Sequence, residues 1–167
     1  MPKKIENVRE MLLLEARRQA KENGYGSVTV RSVAKECGIG TGTVYNYFSS
    51  KDMLIATFIL QDWENSLSTM RSSCLSGIAK FELVWDELTR FVSEHNYIFS
   101  DSAAEKTFAD SFFKWHSYLR MQISEILLPE CNGDRFLSEF LSEAIVTWSG
   151  EGKTFSELSP FIIKLLK

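Results

Sequence analysis

Residues 29–54 read Thr29-Val-Arg-Ser-Val-Ala-Lys-Glu-Cys-Gly-Ile-Gly-Thr-Gly-Thr-Val-Tyr-Asn-Tyr-Phe-Ser-Ser-Lys-Asp-Met-Leu54. Thr29 can cap a helix whose inner face is Val30, Val33, Ala34 and Cys37. Gly38-Ile39-Gly40 then breaks it. Gly38 supplies a backbone conformation that a side chain would resist, and Ile39 plugs the gap between two helices. The next helix, roughly Thr41 to Phe48, buries Val44 and Phe48 and turns Thr41, Gly42, Thr43, Asn46 and Tyr47 outward. Two short helices joined by a glycine-containing turn form a helix-turn-helix. The second has a polar face of short hydroxyl and amide groups, which suits a DNA major groove.

Upstream, Ile5, Val8, Leu12, Ala16 and Ala20 recur at helical spacing, and Gly24 stands where a helix needs a left-handed terminating residue. Downstream, Ser49 or Ser50 caps a fourth helix, with Asp52 in its first turn and Leu54, Ile55, Phe58, Ile59 and Trp63 on its apolar side. A serine-rich loop follows at residues 72–77. Apolar stripes then predict helices through Phe81–Val92, Phe108–Ile126 (stopped by Pro129), Phe136–Trp148 and Phe155–Leu166. The expectation is an all-α chain of eight or nine helices, three of them short and N-terminal. Residues 1–50 would form the helix-turn-helix domain, and residues 51–167 a helical body.

Composition supports this division. The first 51 residues hold nine Lys+Arg against five Asp+Glu, and the remainder ten against seventeen, a head of +4 on a body of −7. A basic head suits a polyanion. No segment approaches the ~18 uninterrupted apolar residues of a membrane span, and the N-terminus lacks an apolar signal stretch, so the cytoplasm is expected. Cys37, Cys74 and Cys131 are far apart, with no CxxC pair, and read as reduced thiols. Two isolated histidines make no metal cluster, no phosphate-loop motif exists, and no catalytic arrangement stands out. The sequence thus predicts no enzyme, no metal and no cofactor.

The 29–54 stretch resembles the DNA-binding signature of TetR transcription regulators, and the likeness extends over roughly residues 8–60. It rests on Val33-Ala34, Gly38, Gly42-Thr43-Val44-Tyr45-Asn46-Tyr47-Phe48 and Lys51. Two positions depart from the pattern. Gly40 stands where Ser or Thr usually caps the recognition helix, and Tyr47 where His is frequent. The resemblance implies phosphate contacts from Gly42 backbone, Thr43, Tyr45 and Lys51, and base contacts from Thr41, Asn46 and Tyr47. Arg31 is a further candidate for a phosphate or base contact, and Lys3 and Lys4 for phosphate contacts from the N-terminal arm.

Beyond residue 60 the resemblance fades. The body is rich in aromatic residues, most of them core. Trp63, Trp85, Phe112, Trp115, His116 and Tyr118 are the candidates for an apolar effector pocket. The last two helices carry stripes of Leu137, Phe140, Leu141, Ala144, Ile145 and Trp148, and of Leu158, Ile162 and Leu165. In the family such a pair builds a four-helix homodimer interface. The expected protein is therefore a ligand-responsive repressor that binds a near-palindromic double-stranded operator as a homodimer. A DNA-binding dimer controlled by a protein partner is the alternative, and a helical protein that binds no DNA is a third.

Overall fold

In the computed structural model every regular element is helical; it describes residues 7–167, the side chains of 103 and 105–114 excepted. Packing divides the chain into two compact units. The first runs to Asp62 and includes His95–Thr107; the second comprises Trp63–Glu94 and Phe108–Lys167.

The first unit opens with α1 (Val8–Asn23), which buries Val8, Leu12, Leu13, Ala16 and Ala20. Ile5 lies outside the described residues. Gly24 ends α1 with φ 80°, and its N–H donates to Ala20 O at 2.9 Å. Its ψ of 165° is extended rather than left-handed helical, so it terminates α1 by a different geometry from the one the sequence suggests. A short turn at Tyr25–Ser27 leads to Thr29, which caps α2 (Val30–Glu36) in a reciprocal box with Ser32.

The turn after α2 is a Schellman closure. Ile39 N–H donates to Ala34 O at 3.0 Å, and Gly38 N–H donates to Lys35 O at 3.1 Å, with Gly38 at φ 66°. Then comes α3 (Thr41–Tyr45), shorter than the helix to Phe48 that the sequence suggests. The turn tightens at its end: both Tyr47 and Phe48 donate to Val44 O, each at 2.9 Å. Val44 and Phe48 are buried, while Ile39 and Cys37 are half-buried. Of the two serines that follow, Ser50 is the cap: its Oγ accepts from Met53 N–H at 3.1 Å and opens α4 (Lys51–Ser72). Leu54, Ile55 and Phe58 bury one face of α4 in this unit. Its last segment holds α6 (Asn96–Phe99), which the sequence did not reveal, and the start of α7. The helix between α4 and α6 in sequence, α5 (Ile78–Glu94), belongs to the second unit.

In that unit α5 packs on α8 (Arg135–Gly150) and α9 (Phe155–Leu165), and α7 (Ser102–Leu127) is tied to α8 by the Ser138 hydroxyl, which donates to Ser124 O at 2.5 Å. Phe81, Val84, Trp85, Leu88 and Phe91 of α5 are buried, as are Leu141 and Ile145 of α8 and Leu158 and Ile162 of α9. Polar ties fix the helix ends. Buried Lys80 donates its ammonium to the carbonyls of Met70 and Ser73, where α4 stops. Asp134 caps α8 through Leu137 N–H at 3.0 Å, and a Thr154–Glu157 box opens α9. No helix among the described residues is long and apolar enough to cross a membrane.

Two glycines in the helix-turn-helix should respond oppositely to substitution. An alanine at Gly38 has open space for its methyl but must hold φ 66°. The left-handed penalty predicts a loss of about 1–2 kcal/mol, and the melting temperature should fall by about 2–4 °C per kcal/mol. A serine at Gly40 meets only Thr43 Oγ1, at 3.9 Å from the new Cβ, and adds the missing cap, so Gly40→Ser should gain a few tenths of a kcal/mol. Thermal unfolding of the two variants checks both signs; a Gly38→Ala protein as stable as its parent would refute the turn geometry.

Candidate nucleic-acid interface

The α3 segment separates its two sides cleanly. Val44 is fully buried and Phe48 nearly so, whereas Tyr45 is 55% and Tyr47 47% exposed. Asn46 and Gly42 are also exposed, and Thr41 and Thr43 are half-exposed at the margin. Two phenol rings on solvent are unusual for a segment packed this tightly on its other side, and both carry a polar tip. Arg31, in the first turn of α2, is exposed. Lys3 and Lys4 lie outside the described residues.

Lys51 is placed less simply. It is half-buried, its ammonium donates to Tyr25 O at 3.4 Å, and it sits 4.0 Å from the centroid of the Tyr25 ring. The buried Tyr25 hydroxyl donates in turn to the Asp52 carboxylate. The α4 N-terminus is thereby fastened to the turn after α1 by a cation over a ring and a charge-assisted hydrogen bond. Arg9, absent from the sequence expectation, lies with its guanidinium 5.6 Å from the Phe48 ring centroid and is half-exposed. Its signal in sequence is only a basic residue at the start of α1.

The residues singled out for an effector pocket separate into two groups. Trp63 and Trp85 are core. Trp63 stands edge-on to Phe91 at 5.2 Å and donates its indole N–H to Gln122 at 2.6 Å, and Trp85 leans on Phe155 at 6.1 Å. Trp115, His116 and Tyr118 are half-exposed on α7; the rings of the first and last lie 5.8 Å apart, tilted at 34°, and His116 Nε2 lies 3.8 Å from Glu143. The Phe112 side chain lies outside the described residues. Among the described residues these candidates thus fall into a buried pair, Trp63 and Trp85, and a half-exposed trio, Trp115, His116 and Tyr118.

The α8–α9 stripes also divide. Leu141, Ile145, Leu158 and Ile162 face the core of the second unit, and Leu137 and Ala144 are half-buried. Phe140 is 54%, Trp148 37% and Leu165 46% exposed. Two residues outside the expectation, Phe136 at 79% and Phe161 at 61%, are still more exposed. An open depression of about 390 Å³ lies between the helices, lined among others by Phe140, Ala144, Trp148, Phe161 and Leu165. Glu143 at its rim is paired with Arg120 at 3.0 Å. Among the described residues, no group of three His, Cys, Asp or Glu side chains is arranged to hold a metal ion.

Comparison with known proteins agrees with this geometry. Residues 12–57 match the family of bacterial regulatory proteins, tetR family. The HTH-type transcriptional regulator UidR of Escherichia coli is 38% identical over 71 residues, which cover 42% of this chain and 36% of UidR. The chain thus matches about a third of the length of that relative. A transcriptional regulator from Aquifex aeolicus VF5 superposes with a TM-score of 0.66 at 20% identity, over 95% of this chain and 99% of that one. Salmonella enterica GusR superposes with a TM-score of 0.66 at 18% identity, over 95% and 94% of the two chains. At those identities the superpositions speak for the fold.

The cysteines offer a probe of whether this head is folded. Burial pushes the Cys37 and Cys131 thiols up from their ordinary range, with Glu15 and Glu36 adding to the effect at Cys37, and Asp134 and Glu130 at Cys131. Cys74 is exposed. At pH 8 a chromogenic disulfide reagent should find one fast thiol, which Cys74→Ser removes, while the other two react only as the protein opens. Three equally fast thiols would contradict the packing of Cys37 at the end of α2.

Proposed function

We propose that this chain, whose residues 12–57 match the tetR family of bacterial regulatory proteins, is a transcription regulator of that type, a ligand-responsive repressor acting as a homodimer. The observation that carries the proposal is the two-sided α3 segment: Val44 and Phe48 anchored, Tyr45, Asn46 and Tyr47 on solvent. Thr41, Asn46 and Tyr47 would read base edges. Thr43, Tyr45, Lys51 and the Gly42 backbone would hold phosphates, helped by Arg31, Lys3 and Lys4. Lys51 is already oriented by Tyr25, so its approach to a phosphate would be preorganised. Residues 1–50 would be the reading domain and residues 51–167 the effector-binding and dimerisation domain. Such a protein works on cytoplasmic DNA.

Dimerisation would use the exposed half of α8 and α9. Phe136, Phe140, Trp148, Phe161 and Leu165 form an apolar face of a kind that water-soluble surfaces rarely leave bare. A two-fold pair of such faces would place two heads in successive major grooves about 34–36 Å apart, so the operator would be a near-palindrome. An effector bound in the body near Trp115, His116 and Tyr118 would act through α4, which leads from the body into the head. It must bind the DNA-competent and DNA-incompetent conformations unequally; a tenfold loss of DNA affinity needs about 1.4 kcal/mol of difference. The full burial of Trp63 and Trp85 favours a second reading, a dimer whose body holds no small effector and is controlled by a protein partner.

An in-vitro selection from a random DNA pool should return an inverted repeat. Tyr45→Phe, which removes one hydroxyl from an exposed side chain, should weaken binding to that duplex by about threefold to tenfold. Lys51→Ala should weaken it more and flatten its salt dependence, and Asn46→Ala should relax one base position by about 1–3 kcal/mol. Unchanged affinity of all three at fixed salt would refute the contact assignment.

Sedimentation tests the dimer separately. Phe140→Glu with Phe161→Glu places charge on two exposed positions and should give a folded monomer with the parent's far-ultraviolet circular dichroism. A variant that still sediments as a dimer would remove this face from the interface.

A further inference from the structure

Arg17 interrupts an inward-facing run of α1. Its neighbours on that side, Leu13, Ala16 and Ala20, are aliphatic and buried. The guanidinium instead meets α4 at two points one turn apart. Its carbon lies 5.1 Å from the centroid of the Phe58 ring, and its two terminal nitrogens grip Asp62 at 2.5 and 2.8 Å. This is the fork geometry in which arginine cannot be replaced by lysine. Asp62 has a second partner. His95, only 2% exposed, places Nε2 2.9 Å from the same carboxylate, and its ring stacks with Phe58 at 6.5 Å. Three segments distant in sequence therefore converge on one carboxylate within the first unit: α1, α4 and the segment that begins at His95.

The same α1 packs on α2 and on the turn that carries Tyr25. What fixes α4 and the 95–107 segment against α1 therefore fixes them against the DNA-reading head. We propose that Arg17, Asp62 and His95 form a positioning clamp that holds the head in one orientation, and so sets sequence-specific DNA affinity without touching DNA. The inference rests on the DNA-reading function proposed above. Its direction follows from populations. A head that samples several orientations is competent in only a fraction of them, and apparent affinity falls by that fraction. Contacts with phosphates alone tolerate such freedom far better than base readout does, because they carry no sequence register.

The test compares two affinities in one protein: for the duplex that the wild type selects from a random pool, and for a random-sequence duplex of equal length. Removing the whole set together, by Arg17→Met, Asp62→Leu and His95→Phe, leaves no charge or ring nitrogen stranded, and replacing such groups by apolar ones tends to preserve stability. The triple variant is expected to melt near the wild type, to keep its affinity for the random duplex, and to lose about tenfold on the selected duplex, within the usual range of coupling between sites. Parent-like or tighter binding to the selected duplex overturns the clamp. If the triple variant fails to fold, His95 alone decides. His95→Phe should lower the ratio of selected to random affinity, and His95→Gln, whose amide nitrogen can replace Nε2 against Asp62, should restore it. A His95→Phe protein with an unaltered ratio overturns the proposal. A wild type that selects no duplex brings down the DNA-reading function itself, and is seen before any variant is made.

Discussion

The structure of the head depends on the burial of two side chains, Val44 and Phe48. A helix of five residues has almost no stability of its own, since nucleation alone exceeds what one turn of hydrogen bonds returns. The α3 segment is helical because those two residues are seated on neighbouring helices and because the preceding turn delivers the chain at the right angle. The Schellman bonds at Lys35 and Ala34 and the positive φ of Gly38 are the means of that delivery. Once the inner pair is fixed, helical geometry places Asn46 and Tyr47 on the opposite side. The polar face is thus a consequence of the anchoring, and any change that loosens Phe48 reaches the solvent side as well.

Much of this was legible in sequence, because it depends on short-range signals. The capping threonine, the glycine break and the three-four spacing of apolar residues each act within a few residues, and they placed α1 to α5 and α7 to α9. The end of α3 was overestimated, since Phe48 is buried in a turn and burial alone does not distinguish a turn from a helix. The four residues of α6 carry no period at all. The α8–α9 stripes were seen, but not their division: apolar residues cover so wide an arc that Leu141 and Phe140 belong to one sequence pattern and to different faces. Phe136 and Phe161, the most exposed aromatic residues of that face, sit at positions a one-stripe reading leaves out.

Long-range polar partnerships lay beyond sequence reading altogether. Trp63 reads as a pocket residue by composition, yet its indole is matched to Gln122, fifty-nine positions away. Lys80 carries no mark in the sequence, and its ammonium is buried on the carbonyls that end α4. Neither relation has a local signature. In both, a buried donor is matched to a side-chain or main-chain acceptor, as interiors require.

The convergence of Arg17 and His95 on Asp62 also constrains how this protein could diverge over generations. Loss of the charged or hydrogen-bonding group at any one of the three leaves a partly buried charge or ring nitrogen facing an unsuited neighbour, so the intermediate is less fit than either end state. Replacement of the whole set by apolar side chains is physically reasonable but demands several changes at once. Descendants should therefore inherit the three positions together or discard them together, and lineages that keep only one should be rare.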